Sequence, residues 1–557
     1  MAYVITQRCC NDASCVAECP VDCIRPRPED PEFQSAEMLY IDPQTCIDCG
    51  ACFEACPVEA IYAEDDLPTN LTAFADINAS YFDKHPLDTD VLPMVKPPKL
   101  AEGKGPLRVA IVGTGPAACY AAEDLLSYGA VEVEMFDRLP SPWGLLRYGV
   151  APDHAKTRGV ADAFLAAFKR DALQFHLNVE VGRHISHAEL LSSCHAVVYA
   201  VGASRDRTLN IPGEDLAGSH SATEFVAWYN GHPDYADRAF DLRCERAVVI
   251  GNGNVALDVA RVLTLPPDEL AKTDIADHAL ETLRSSSIRE VVVLGRRGPL
   301  QAGYTSAELL ALGRLPGVDV VVDPAVLELD PADVVTLDSP DVSHAVQTKW
   351  QLLNEHANRP LREGNRRIIL GFWSAPTALI GSEHVEAVEF VHTEPVRTPE
   401  RVTARPTERS GTIAAGLVLR AVGYRGEPVP GLPFDESRAV VPNVGGRVVD
   451  GDGIPLTGVY TSGWIKRGPR GVIGSNRVDA AETVRAIVED FHAGRLLDPV
   501  LDRAALTELV HERQPDVVDR TGWQAIDSAE RAAGATQGRP RKKFTALDDF
   551  LSAARGR

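Results

Sequence analysis

Four cysteines in the segment CIDCGACFEACP, residues 46 to 57, have the spacing of an iron–sulfur motif. The pattern is C-x2-C-x2-C-x3-C-P, formed by Cys46, Cys49, Cys52 and Cys56 with Pro57. Three thiolates on one tight loop can hold three corners of a cluster, and the fourth is directed toward a different cluster. A zinc site is the alternative for a C-x2-C pair, although zinc rarely uses a third cysteine at the same step.

A second cluster needs a second set of thiolates, and the chain carries further cysteines upstream of this motif. They are Cys9, Cys10, Cys15, Cys19 and Cys23. The stretch CVAECPVDC supplies a second Cys-Pro unit at Cys19-Pro20. Two such units are typical of a pseudo-symmetric two-cluster fold, in which each Cys-Pro thiolate crosses to the other cluster.

These motifs resemble the bacterial ferredoxins that carry one [3Fe-4S] and one [4Fe-4S] cluster. The resemblance is carried by YVITQRCC, CPVDCI, MLYIDPQTCIDCGACFEACPVEAI and INASYF, and it covers about residues 2–84. It implies an α+β ferredoxin domain over these residues. We expect a [4Fe-4S] cluster on Cys46, Cys49 and Cys52, with Cys19 crossing over as the fourth ligand.

The other cluster is expected on Cys9, Cys15 and the crossing Cys56. A full cube there would need a thiolate three residues after Cys9, where Asp12 stands, so we expect a [3Fe-4S] cluster. A second [4Fe-4S] cluster is the alternative, with Cys10 or Asp12 as its fourth ligand, since a carboxylate can ligate iron. Cys10 and Cys23 are otherwise left without a cluster.

Length and charge indicate how many domains the chain has and what kind of partner it binds. The chain has 557 residues, a length that suggests three or four domains. Hydrophobic residues make up 45% of it, and its formal charge is −23. Residues 1–98 hold 18 Asp and Glu against 5 Lys and Arg, which argues against nucleic acid and favours docking on basic proteins. The sequence has no apolar run of membrane-spanning length and no secretory n-region, so we expect a cytoplasmic protein.

Elements that bind dinucleotides follow a Pro- and Lys-rich linker predicted over residues 85–105. A buried strand ends in the turn Gly113-x-Gly115-x-x-Ala118, a helix follows, and the next strand ends at Asp137. Gly113 permits the tight turn, Gly115 lets a pyrophosphate approach the helix, and the acid suits ribose hydroxyls. This is a dinucleotide-binding βαβ unit.

The unit occurs a second time, as Gly251-x-Gly253-x-x-Ala256 within RAVVIGNGNVALDVARVL. At the end of its next strand, REVVVLGRRG, the expected acid is replaced by Arg296 and Arg297. Two guanidinium groups suit a 2′-phosphate, so this unit is predicted to take NADPH rather than NADH. A basic surface turn is the alternative.

Beyond these units, several stretches closely resemble the adrenodoxin-reductase-type ferredoxin–NADP reductases. They are PSPWGLLRYGVAPDH, LNIPGEDL, DIADHALETLR, GRRGPLQAGYTSAEL, PNVGGRV and GWIKRGPRGVIGSN, and the resemblance covers about residues 106–550. The whole chain is similar to the actinobacterial fusion of a ferredoxin with such a reductase. This implies an α/β two-dinucleotide reductase, with an FAD-binding domain over 106–206 plus 421–557 and an NADP-binding domain over 207–420.

The resemblance also implies site residues. FAD contacts are expected at Gly113, Gly115, Ala117, Asp137, Leu145, Val181, Trp464, Gly471, Val472 and Ile473. NADPH contacts are expected at Arg207, Asn252, Gly253, Asn254, Val255, Arg296, Arg297, Glu308 and Gly471. His154 and Glu308 match family positions near the flavin and nicotinamide, where they would steer protons or only orient the ring, since hydride transfer needs no base.

The order of electron transfer follows from chemistry. NADPH gives two electrons as a hydride, a cluster takes one, and flavin bridges the mismatch. The final acceptor is expected to be a redox protein such as a ferredoxin or a cytochrome P450. Two alternatives remain open: a glutamate-synthase small-subunit-like electron-transfer subunit, and a non-enzymatic redox sensor. The tail GRPRKKFTALDDFLSAARGR predicts a solvated basic loop followed by an amphipathic helix, and docking of the basic loop on an acidic ferredoxin is the alternative.

Overall fold

The computed structural model describes residues 2–87, 100, 105–329, 331–339, 342, 344–398 and 402–556. Most of the linker predicted over residues 85–105 therefore lies outside the described residues. None of the helices in the described ranges combines the length and the apolar content that a membrane crossing requires.

The N-terminal segment is built from two short strand pairs and three helices. Its elements are β1 (Tyr3–Ile5), α1 (Ser14–Glu18), β2 (Ile24–Arg25), β3 (Tyr40–Ile41), α2 (Ala51–Ala55), β4 (Ile61–Ala63) and α3 (Ala73–Phe82). Strand β1 pairs antiparallel with β4, and β2 with β3. The buried Asn78 ties the halves together, because its side-chain oxygen accepts from the N–H groups of Ile5 (3.1 Å) and Ile41 (2.9 Å).

The two halves of this segment repeat the same backbone conformations on either side of a short helix. Cys19 directly follows helix α1 and Cys56 directly follows helix α2, with φ of −77° and −78° and ψ of 110° at both. The residue before each helix, Ala13 or Gly50, is left-handed, with φ of 60° and 76°. The two Cys-Pro units thus stand at equivalent positions, as the sequence pattern predicts.

The chain then enters a parallel sheet. The elements are β5 (Leu107–Val112), α4 (Pro116–Ser127), β6 (Val131–Asp137), α5 (Leu145–Tyr148), α6 (Ala155–Arg158), α7 (Val160–Phe168), β7 (Leu173–Leu177), α8 (His187–Ser193) and β8 (Ala196–Tyr199). The predicted strand–turn–helix–strand unit that ends at Asp137 is confirmed by β5, α4 and β6.

A second group of elements follows. Its strands are β9 (Arg205–Asp206), β10 (Ser219–Ser221), β11 (Arg246–Ile250), β12 (Glu290–Leu294), β13 (Val318–Val322), β14 (Arg366–Gly371), β15 (Ser374–Ile380), β16 (Ala387–Arg397), β17 (Val402–Ala414), β18 (Leu417–Arg420) and β19 (Tyr424–Arg425). Its helices are α9 (Ala222–Tyr229), α10 (Asn254–Thr264), α11 (Pro267–Leu270), α12 (Asp277–Arg284), α13 (Ser306–Leu312), α14 (Pro331–Asp338) and α15 (His344–Asn358).

The C-terminal segment returns to the first sheet. Its elements are β20 (Asn443–Val444), β21 (Arg447–Val449), β22 (Pro455–Thr461), α16 (Trp464–Arg467), α17 (Ser475–His492), α18 (Arg503–Arg513), α19 (Arg520–Ala535) and α20 (Leu547–Ala554). The first sheet has the order β20-β21-β22-β8-β5-β6-β7 and the second has the order β10-β18-β11-β12-β14-β13. Strands β9 and β19 pair antiparallel where the chain crosses between the sheets.

Apolar side chains cover both faces of the first sheet. One face packs against α4, α7, α17 and α19, and the other packs against α8 and α18. Each dinucleotide turn then lies at the carboxyl end of a central parallel strand, which is where open α/β sheets bind ligands.

The prediction of a solvated basic loop before the last helix is wrong. The Lys543 side chain is buried and its Nζ lies 3.3 Å from Asp274 Oδ2. Arg541 pairs at 3.0 Å with the fully buried Glu530. These cations are internal because each meets a carboxylate from another segment, and sequence order does not reveal such partners. The predicted final helix is confirmed as α20.

Candidate functional site

The first glycine turn leaves open backbone at the start of α4. Gly113 has φ +106°, and a Cβ there would lie 2.5 Å from the carbonyl oxygen of Ala200. A Cβ on Gly115 would meet no atom within 4 Å, so a ligand can approach the backbone there. The residues therefore fit a pyrophosphate at this helix N-terminus.

Asp137 lies beside this turn. Its Oδ2 accepts a hydrogen bond from the Thr114 N–H at 3.1 Å, and burial raises the pKa of its carboxyl group. Leu145 follows Gly144, where a Cβ would lie 2.9 Å from the Gly115 Cα. Val181 lies two residues beyond Val179, whose N–H donates to the Asp137 carbonyl at 2.8 Å. Asp137 and Leu145 thus border this turn, and Val181 follows the segment that pairs with Asp137.

Two later helices also begin near α4. A Cβ on Gly463, the residue before Trp464, would lie 2.6 Å from the Cβ of Ala117. The loop 471–473 leads into helix α17, and the side chain of Asn476 donates to the Ile473 carbonyl at 2.9 Å. The predicted flavin-contact residues of the C-terminal segment are therefore adjacent to the first dinucleotide turn.

The second glycine turn repeats this geometry at the start of α10. Gly251 has φ +131°, and a Cβ there would lie 2.2 Å from the Ala421 carbonyl oxygen, while the Gly253 position is open. The Asn252 carbonyl accepts from the Gly303 N–H at 2.9 Å, and the Asn254 side chain accepts from the Thr305 N–H at 2.8 Å. Val255 lies in the first turn of α10. The two hydrogen bonds place the predicted residues 252–255 against the segment that leads to Glu308.

Arg296 and Arg297 follow β12, the strand next to β11, and both side chains are exposed. Neither guanidinium group forms an ion pair with a carboxylate within the described ranges, and Arg296 is the one charge that acts on Arg297. Although Arg297 is exposed, the partial desolvation of its guanidinium group and the neighbouring Arg296 charge lower its pKa. Two adjacent cations without an anion suit a phosphate. Arg207 lies elsewhere, at the crossing between the sheets, where its Nε is 3.4 Å from the Tyr424 carbonyl oxygen.

A charge network centred on the buried Arg261 joins the two predicted catalytic residues. Nε2 of His154 lies 3.8 Å from a carboxylate oxygen of Glu308. Arg261 is 1% exposed and pairs with Asp153 (2.6 Å), Asp258 (2.6 Å) and Glu308 (2.8 Å). Burial and the Arg261 charge lower the pKa of His154. The arrangement favours a neutral imidazole beside a carboxylate that Arg261 anchors.

Sequence reasoning missed Arg261, Asp153 and Asp258. Asp153 directly precedes His154, and Arg261 interrupts the apolar pattern of DVARVL in α10. A charged residue at a core position of a helix requires a partner, and this was the signal available.

The cysteines form two groups. Cys19, Cys46, Cys49 and Cys52 line one cavity, together with Cys23, Tyr3 and Gly50. The Sγ atoms of Cys19 and Cys23 are 3.4 Å apart, so Cys23 belongs to the surroundings of this group.

The second group contains Cys9, Cys15 and Cys56. Backbone N–H groups of Leu39 and Ala60 donate to the Sγ atoms of Cys9 (3.4 Å) and Cys56 (3.2 Å). Burial raises the pKa of Cys9 to about 12, and the charges of Cys56 and Asp12 add to that shift. Partly or fully buried cysteines whose sulfur atoms accept from N–H groups fit an iron–sulfur cluster, whose positive iron stabilises the thiolates.

The N-terminal segment docks against both parts of the remaining chain. The Gly474 N–H donates to the Cys10 carbonyl at 2.7 Å, directly after the loop Gly471–Ile473. Arg477 of α17 contacts Asp12 Oδ2 at 3.1 Å and Ser14 Oγ at 3.0 Å.

On the other side, Glu37 pairs with Lys349 at 3.3 Å and accepts from the Ser306 N–H at 2.6 Å. Ser306 is two residues from Glu308. The group of Cys9, Cys15 and Cys56 therefore faces the predicted flavin loop. Glu37 of the same N-terminal segment contacts the start of the helix that carries Glu308, which is predicted to lie near the nicotinamide.

Comparison with known proteins gives two family matches. Residues 107–338 match the family described as pyridine nucleotide-disulphide oxidoreductase, and residues 39–62 match the 4Fe-4S binding domain. The chain is 48% identical to a Mycobacterium leprae protein named "Probable ferredoxin/ferredoxin--NADP reductase", over 100% of this chain and 98% of that protein.

Relatives of the reductase part alone also match. The chain is 45% identical to "NADPH-ferredoxin reductase FprA" of Mycobacterium tuberculosis, over 81% of this chain and 100% of that protein. The match to the solved structure of "Mycobacterium tuberculosis FprA in complex with NADPH" covers 81% of this chain and 100% of that chain, with 44% identity and a TM-score of 0.77. The two-dinucleotide fold is thereby confirmed.

Proposed function

Because the chain belongs to the ferredoxin/ferredoxin–NADP reductase family, we propose that it oxidises NADPH and delivers the electrons through FAD to its own iron–sulfur clusters. The acceptor beyond the clusters is a ferredoxin or another redox protein, such as a cytochrome P450. The observation that carries the proposal is the hydrogen bond between Gly474 and Cys10, which joins the flavin loop to a cysteine loop.

The proposed domains are a two-cluster α+β ferredoxin domain over 2–84, a linker over 85–105, an FAD-binding domain over 106–206 plus 421–557, and an NADP-binding domain over 207–420. The division is supported by the two separate sheets and by the β9–β19 crossing between them.

NADPH is held at the second glycine turn in this proposal. Arg296 and Arg297 bind the 2′-phosphate, and residues 252–255 bind the pyrophosphate. The unpaired state of both guanidinium groups among the described residues supports this role. The charge-assisted contacts then select NADPH over NADH.

FAD is held by the first glycine turn and by Ala117, Asp137, Leu145, Val181, Trp464 and the loop Gly471–Ile473. When bound, FAD supplies the change from two-electron to one-electron transfer. His154 and Glu308 orient the nicotinamide ring, which agrees with the lowered pKa of His154 and with the anchoring of Glu308 by Arg261. Arg261 acts through these residues and is a positioning residue.

In the ferredoxin domain, Cys46, Cys49, Cys52 and Cys19 bind a [4Fe-4S] cluster. Cys9, Cys15 and Cys56 bind a [3Fe-4S] cluster in this proposal. Both carboxylate oxygens of Asp12 already accept hydrogen bonds, from Ser14 and Arg477, which supports a cluster without a carboxylate ligand.

The proposal is tested on the purified chain alone. We expect flavin bands in its visible spectrum and NADPH-dependent reduction of cytochrome c without a second subunit. A colourless protein would favour a redox sensor without cofactors. A flavoprotein that needs a large subunit for turnover would favour the glutamate-synthase-like alternative.

A further inference from the structure

One cysteine of the N-terminal segment differs from the rest in its exposure. The structure describes all twelve cysteines of the chain, and Cys49 is the exposed one among them. Its neighbours Cys46 and Cys52 are partly or fully buried. The cluster proposed for Cys46, Cys49, Cys52 and Cys19 is therefore open to solvent at one corner, while the group of Cys9, Cys15 and Cys56 faces the reductase.

Two large apolar side chains flank this corner. Ile47 is 58% exposed and Phe53 is 49% exposed. The Phe53 ring leans on Tyr3, with 6.3 Å between the ring centroids, so it is held in place. Exposed apolar side chains grouped at one point of a surface are typical of a contact site for another protein.

Negative charge surrounds the apolar pair. Asp48, Glu54 and Asp66 are exposed. Asp48 and Glu54 are the chain neighbours of Ile47 and Phe53, and Asp66 follows strand β4, whose Ala63 pairs with Tyr3. The four basic residues of the described N-terminal segment lie elsewhere. Arg25 and Arg27 pair with Asp22, Arg8 contacts Tyr62, and Lys84 contacts Val342.

We propose that Ile47, Cys49 and Phe53, with Asp48, Glu54 and Asp66 around them, form an exit face on which a one-electron acceptor protein with a basic surface docks. The inference rests on the proposed function. A small apolar centre within a charged rim suits the brief, small-area encounters of electron-transfer partners, and opposite charge speeds their association. Each NADPH yields NADP⁺, one proton and two electrons, which reduce two ferric acceptors to the ferrous state.

The apolar centre is tested with the double variant Ile47→Ser/Phe53→Ser in the full chain. Cytochrome c, a basic haem protein, is the acceptor. We expect kcat/KM for cytochrome c to fall about tenfold, because truncating the central contacts of an interface weakens binding most. The matched control is Ile454→Ser/Val444→Ser, which alters side chains 59% and 65% exposed on the FAD side. Equal rates for the two double variants would overturn the proposal.

The charged rim is tested with Asp48→Asn/Glu54→Gln/Asp66→Asn. We expect slower cytochrome c reduction at low salt and a weaker dependence on ionic strength, since steering charges are screened by salt. The control Glu281→Gln/Glu363→Gln/Asp452→Asn removes the same charge from exposed sites outside the ferredoxin domain. A rim variant with the salt dependence of this control would contradict the assignment.

Failure of the exit face can be told apart from failure of the proposed function. Anaerobic addition of NADPH, without any acceptor, should change the paramagnetic resonance of the clusters equally in the wild type and in every variant. Clusters that NADPH leaves unchanged in the wild type would overturn the proposed function. If the clusters respond to NADPH normally and the exit-face variants still reduce cytochrome c at the full rate, only the exit-face proposal is overturned.

Discussion

Gly474 and Cys10 are joined backbone to backbone, with the Gly474 N–H donating to the Cys10 carbonyl at 2.7 Å. A Cβ on Gly474 would lie 2.0 Å from the carbonyl carbon and oxygen of Asn11, so the two loops are in direct contact. Gly474 follows the predicted flavin loop, and Cys10 follows a predicted cluster ligand. One hydrogen bond therefore joins the two halves of the proposed electron path.

Gly474→Ala should separate these loops. Its φ of −68° and ψ of −26° suit alanine, so the expected effect comes from the collision with Asn11 and not from backbone strain. A contact this short forces backbone displacement at a cost of about 1–3 kcal/mol. We expect cytochrome c reduction to fall about fivefold or more, with ferricyanide reduction unchanged, because ferricyanide takes electrons directly from flavin.

The control is Gly451→Ala, where a Cβ meets nothing within 4 Å. Identical behaviour of the two variants would show that the loop contact has no role in electron transfer.

Arg296→Ala/Arg297→Ala should lower the preference for NADPH. Each charge-assisted contact to a 2′-phosphate contributes about 1.5–3 kcal/mol, so the KM for NADPH should rise at least about a hundredfold. NADH kinetics should barely change, since NADH lacks that phosphate. The control Arg284→Ala/Arg289→Ala removes the same charge nearby. Equal losses with both nucleotides would contradict the assignment.

Arg261→Met should destabilise the chain and slow hydride transfer. Removing the buried cation leaves the partly buried carboxylates of Asp153, Asp258 and Glu308 without their shared partner, which costs about 1–3 kcal/mol. The Arg261 charge lowers the pKa of Asp153 and of Asp258, so its removal raises the pKa of both carboxyl groups. The loss is therefore largest at neutral pH and shrinks as acid protonates them. Urea unfolding at pH 5 and pH 8 measures this, with exposed Arg284→Met as the control. A loss independent of pH would mean that the network is not ionised.

Anaerobic paramagnetic resonance of the oxidised protein should show the sharp signal of a three-iron cluster on Cys9, Cys15 and Cys56. Asp12→Cys gives this loop the C-x2-C-x2-C spacing of the other motif, and it should remove the signal by completing a cube. A silent spectrum from wild-type protein that carries two complete cubes would instead indicate Cys10 or Asp12 as a permanent fourth ligand.

Local patterns predicted much of the fold. The glycine turns and their strands were predictable because each unit is continuous in sequence and needs residues of fixed type at fixed steps. The strands that end at Asp137 and before Arg296 are examples. The repeated Cys-Pro units likewise predicted two equivalent short helices.

Contacts between distant segments could not be predicted in this way. Arg261 meets Asp153 and Glu308 only after two sheets have formed, and neither acid has a fixed spacing from it. The burial of Lys543 depends on Asp274, which comes from a different part of the chain. The docking of Cys10 on Gly474 needs a bare backbone in a loop, and sequence alone shows only one glycine among many.

The most direct test of the account compares the full chain with a chain that lacks residues 1–98. The truncated chain corresponds to relatives that consist of the reductase part alone. We expect it to bind FAD and to reduce ferricyanide with NADPH at the rate of the full chain. Cytochrome c reduction should fall at least about tenfold, because the covalently held acceptor is gone. Unchanged cytochrome c reduction by a folded, flavin-loaded truncated chain would contradict the claim that electrons leave through the N-terminal clusters.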